Sequence, residues 1–171
     1  DRDRLRNRRF LGGLMSMEAT VKNLTENGSI IRAENHYWVF YINNETAPTL
    51  VDRKCGKWMF FFKDVSFAED ICTKAILEGA IAECKHTSAG FLDDAHQGVV
   101  CFYLNIDDAP GHHQILEFML SNGLIPKTKK GKLHNISFKL DDQTRAGEYG
   151  KSFNAKTKLE DFVNLETGEF L

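Results

Sequence analysis

The sequence is short of the features that announce a chemistry by themselves. Proline occurs three times in 171 residues and cysteine four times. The dearth of proline, beside thirteen phenylalanines, argues against a proline-rich disordered chain and suits a sheet-rich core. Cys55, Cys72, Cys84 and Cys101 nowhere stand at CxxC spacing, so the local signature of a zinc or dithiol site is missing. We read them as small, buried, reduced side chains. No apolar run approaches the ~18 residues of a membrane-spanning helix. A net charge of −2 gives the molecule no overall pull toward a polyanion or a membrane surface, so any such attraction must come from a local patch. Glycine-rich phosphate loops, nucleophile elbows and zinc-protease motifs are all missing, and we expect neither cofactor nor metal. Residues 11–17 have a basic flank but are too short and too glycine-rich for the apolar stretch of a secretory leader. The expectation is a cytoplasmic protein off the membrane. The sequons at Asn23, Asn27, Asn44 and Asn135 are then chance matches.

What is present begins with charge. Arg2, Arg4, Arg6, Arg8 and Arg9 against Asp1 and Asp3 make residues 1–17 a basic tail. It is read as a loosely ordered extension or, alternatively, as an arm for nucleic acid or an acidic partner. Residues 18–171 are expected to form a single α+β domain. Asn27-Gly28 signals a turn. Residues 36–42 and 56–62 read as aromatic strands. In the second, alternation sets Trp58, Phe60 and Phe62 on one face and Lys57, Met59, Phe61 and Lys63 on the other. Ser66 and Glu69 read as a capping box for a helix whose inward residues are Phe67, Ile71, Cys72, Ala75 and Ile76, with Gly79 as its stop. Residues 90–98 read as a loop, and residues 99–104 as a central strand beside 56–62. A second helix covers 112–122, a strand 133–140, a short helical turn starts near 141, and a helix is expected near 159–165. The sum is a mostly antiparallel sheet with helices packed on one face.

Several segments together carry a resemblance. They are Gly56-Lys57-Trp58-Met59, the helix end Glu78-Gly79, Cys84-Lys85-His86-Thr87-Ser88, and Val100-Cys101-Phe102-Tyr103 before Asp107-Asp108. Phe138-Lys139-Leu140-Asp141 with Thr144 and Gly147-Glu148-Tyr149 completes the set. In order and spacing this resembles the uncharacterised family of basophilic-leukaemia-expressed-protein-like, or phosphothreonine-lyase-domain, proteins. The chain departs from it in Leu140, where proline is usual, and in His86. The resemblance implies a curved sheet backed by helices, like that of the cap-binding translation initiation factors. It implies no established activity.

Three functional readings follow. Lys57, Lys85, Lys139 and Arg145 could hold phosphate as cations, and Trp38, Trp58 or Tyr41 could stack on a base. That is a binding module for a nucleotide, RNA or a phosphoprotein. Against it, Trp58 shares a face with Phe60 and Phe62 and is better read as core, and Lys57 could simply snorkel from the sheet. The second reading is an enzyme handling phosphate, a phosphothreonine lyase for instance, with Lys132 as base and His134 as acid. An exposed strand leaving a lysine-rich loop explains that pair equally. The third is a protein-interaction domain with no small ligand. His112 and His113 beside Asp107 and Asp108 show proximity only, too little for a metal site.

Overall fold

A computed structural model describes residues 19–95 and 97–171; the basic tail at 1–17 lies outside them. The chain opens with a hairpin of β1 (Thr20–Asn23) and β2 (Ile30–Glu34), turned by Gly28 at φ 69°. β3 (Trp38–Asn43) follows, then β4 (Cys55–Phe62), α1 (Val65–Leu77), β5 (Glu83–Thr87), α2 (Ala89–Ala95) and β6 (Gly98–Asn105). The last elements are α3 (Ala109–Ser121), β7 (Ser137–Leu140), α4 (Asp141–Arg145) and β8 (Thr157–Lys158). The strands form one curved, unclosed sheet in the order β1-β2-β3-β5-β6-β4-β7-β8, and every pairing is antiparallel. The α+β architecture is therefore the one expected. β6 lies between β5 and β4, which is why its sequence is nearly continuously apolar.

The pleat gives the sheet two unlike faces. On one, Tyr41, Trp58, Phe60, Cys84, Phe102 and Leu104 meet the buried stripes of α1 and α3. The α1 stripe is Ala68, Ile71, Cys72, Ala75 and Ile76; that of α3 includes Ile115, Leu116 and Met119. Both recur at helical spacing. On the opposite face, Ile31, Ala33, Phe40 and Ile42 form one small cluster and Cys55, Cys101 and Tyr103 another, and no α1 or α3 residue joins either. No helix among the described residues is long and apolar enough to cross a membrane.

Several local expectations need correction. α1 is capped by Asp64, whose carboxylate accepts from the Ser66 N–H at 3.0 Å. Ser66 is thus inside the helix, and Glu69 instead reaches Arg32 of β2 at 3.3 Å. Phe67 is 44% exposed rather than inward, because the buried stripe runs through Ala68, Ile71, Cys72, Ala75 and Ile76 and Phe67 lies at its edge. Gly79 does end the helix, at φ 75°. The expected loop at 90–98 contains α2. The expected strand at 133–140 is formed only over Ser137–Leu140, and at 159–165 only the short 3-10 turn Leu159–Asp161 forms. All four cysteines are buried and free.

Candidate functional site

Register places the lysines. Across β7, β4, β6 and β5 the partners Lys139, Lys57, Tyr103 and Glu83 form one row. In the next row Cys101 of β6 stands opposite Lys85 of β5, which faces Phe40 of β3. Directly opposed residues share a face, about 5 Å apart at Cβ. Lys57, Lys85 and Lys139 thus all rise from the sheet face that carries neither long helix, and Trp38 of β3 rises with them.

Each ammonium group has a different setting. Lys57 donates to Thr144 Oγ1 at 2.9 Å and pairs with Asp141 Oδ1 at 3.3 Å. Both partners belong to α4, which follows β7 without a linking residue, so strand pairing delivers the helix to the lysine. Lys139 Nζ lies 3.8 Å from the Tyr149 ring centre. Lys85 Nζ lies 3.7 Å from that of Trp38, 5.6 Å from Phe40 and 5.8 Å from Tyr103. Tyr103 stands between two cations, with Lys57 Nζ 5.9 Å from its ring. Among the described residues neither Lys85 nor Lys139 forms an ion pair. Burial pushes Lys85 below the usual lysine range; the Lys57 charge adds to this, while Cys101, Asp141 and Glu83 oppose it. Lys139 is lowered by burial and then by Lys57. Burial raises Tyr103 and Cys101, so both stay protonated at neutral pH.

The chain matches no family model, no curated protein and no solved structure.

The other expected site residues lie elsewhere. Trp58 is fully buried under the helices. Its indole N–H donates to His112 Nδ1 at 3.0 Å, and its ring packs edge-on against His112, Phe138 and Phe162. Such a ring has no free face for a ligand. Tyr41 is equally buried, hydrogen-bonded to His86 Nε2 at 3.1 Å. Arg145 pairs with Asp142, its neighbour on α4. Lys132 and His134 flank the buried Leu133 as exposed residues of the loop before β7. His112 is committed to Trp58 and to the Ile106 carbonyl at 2.9 Å, and Asp107 to Lys54 at 2.7 Å. No cluster of metal-ligating side chains occurs among the described residues. A pocket of about 250 Å³ at the ends of β3, β5 and β6 has Asp108 in its wall and no cation, so it does not suit an anion.

Sequence reasoning missed Tyr103, Phe40, Asp141 and Thr144 as members of the lysine group. Tyr103 was visible as a strand residue two positions from Cys101, but its face follows only from register.

Proposed function

We propose that the sheet face away from α1 and α3, on which Lys85 and Trp38 are partly exposed while Lys57 and Lys139 are buried, binds a phosphate-bearing ligand, whether nucleotide, RNA or phosphorylated protein. Lys57, Lys85 and Lys139 supply the charge and Trp38 a stacking surface. The observation that carries this reading is the shared face of three ammonium groups, of which only Lys57 is paired to a carboxylate among the described residues. Like charges on one partly desolvated face repel: beyond the effect of burial, Lys57 lowers both Lys85 and Lys139. A phosphate dianion among them relieves that repulsion and accepts their hydrogen bonds. Lysines suit it as rotatable point charges. The partly exposed Trp38 ring and the exposed Tyr149 ring could then hold a flat base or aromatic group.

The test is titration with adenosine monophosphate, a short single-stranded RNA and a phosphothreonine peptide, followed by amide shifts and tryptophan fluorescence. At least one should perturb the amides of β4, β5 and β7. The double variant Lys57→Gln, Lys139→Gln should weaken that ligand at least tenfold. Silence from all three probes at millimolar concentration would remove the reading.

A further inference from the structure

Lys85 is set apart from the other two lysines by what surrounds its nitrogen. Trp38, Phe40 and Tyr103 stand around Nζ, and no carboxylate pairs with it among the described residues. Aromatic faces attract an ammonium by about 0.5–2 kcal/mol, much less than the hydration a buried ion gives up. The Lys57 ammonium, on the far side of Tyr103, further disfavours a second positive charge. Both effects favour the uncharged amine more than in an ordinary lysine. Lys85 is nevertheless only partly buried, whereas Lys57 and Lys139 are buried, so it is the most accessible of the three lysines. Lys57 and Lys139 lie buried on the neighbouring strands β4 and β7 of the same face, where their charge favours an anionic group attached to whatever approaches.

We propose that Lys85 is a nucleophilic amine that forms an imine with a phosphorylated aldehyde or ketone. The proposal rests on the phosphate-binding reading of the same face. The Nζ lone pair attacks the carbonyl carbon, and the carbonyl π electrons move to oxygen, which takes up a proton. The carbinolamine then loses its hydroxyl group with one more proton as water, while the nitrogen lone pair closes the C=N bond. One amine and one carbonyl give one imine and one water, with no change of oxidation state. Tryptophan beside the nitrogen shields the imine from water on that side.

The full chain is incubated with pyridoxal 5′-phosphate or with pyridoxal as probes, reduced with borohydride, and mapped by peptide mass. With the phosphorylated probe, Lys85 should label at least tenfold faster than the exposed Lys129, and its rate should rise at a pH below the usual lysine range. Pyridoxal should label it more slowly, and inorganic phosphate should slow only the phosphorylated probe. Lys85→Arg should abolish the labelled peptide while keeping the circular dichroism of the parent. Should that variant fail to fold, the map of the parent chain decides alone. Labelling of exposed lysines with Lys85 unmodified overturns the proposal, and if phosphate still shifts the β4 and β7 amides, the binding reading survives it. Equal labelling of Lys85 by both probes keeps the amine but overturns the phosphorylated substrate class and the binding reading beneath it.

Discussion

Lys57 and Trp58 are neighbours in the chain and serve opposite sides of the sheet. The lysine reaches Asp141 and Thr144 on the face away from α1 and α3. The tryptophan is enclosed under α3 with its N–H on His112. Substituting Trp58→Phe leaves His112 Nδ1 without its donor and removes ring volume, which should cost about 1–3 kcal/mol in urea unfolding. The same variant should leave ligand titrations unchanged. Trp38→Phe should do the reverse, with stability held within about 0.5 kcal/mol and the ligand-dependent fluorescence change lost. A fluorescence response that persists without Trp38 would place the ligand elsewhere.

At the level of elements, two short-range contacts decide geometry. The Asp64 cap starts α1, so Asp64→Ala should destabilise the protein by about 1 kcal/mol and Ser66→Ala by much less. The opposite ranking in thermal or urea melts would restore Ser66 as the cap. Gly56 lets β7 approach β4: a Cβ there would lie 2.5 Å from Phe138 Cε1 and 2.6 Å from the Lys139 carbonyl oxygen. Gly56→Ala must therefore push β7 and α4 away, at a cost of roughly 1–3 kcal/mol. It should also loosen Lys57 from Thr144 and separate Lys57 from Lys139, which amide shifts of β7 and a weakened phosphate isotherm would report.

For the molecule as a whole, two histidines enclosed in the helix-side layer couple folding to pH. Burial holds His86 and His112 below the ordinary histidine value of 6.5. Below pH 6.5 the unfolded chain takes up protons that the folded chain refuses, so stability falls as pH drops toward the lowered folded values. Each histidine contributes a slope of up to about 1.4 kcal/mol per pH unit in that window. Urea midpoints should decline as pH falls below about 6.5; midpoints that do not fall down to pH 5 would contradict the burial of both rings.

Much of the sheet was legible in the chain because alternation and helical spacing are local. The pairing of residues 56–62 with 99–104, the two faces of β4, and the glycine stops of α1 and α3 follow from residue order alone. α2 was not legible, since only Phe91 and Leu92 supply apolar character and no period develops. β7 was overextended because residues 133–136 are strand-like in composition but spend their hydrogen bonds on the Pro126 loop and on Leu159 and Leu165.

The chain by itself determined the strand and helix sequence, the burial of Trp58 and the presence of three lysines on or beside strands. Only the tertiary structure decided that Lys57, Lys85 and Lys139 share a face. Facing depends on register between strands far apart in sequence, as in Lys57 of β4 opposite Lys139 of β7. It likewise decided that Lys132 and His134 stay in an exposed loop, and that Lys85 stands among rings instead of carboxylates. A one-residue slip in any of these pairings would turn the lysine into the core and the aromatic out.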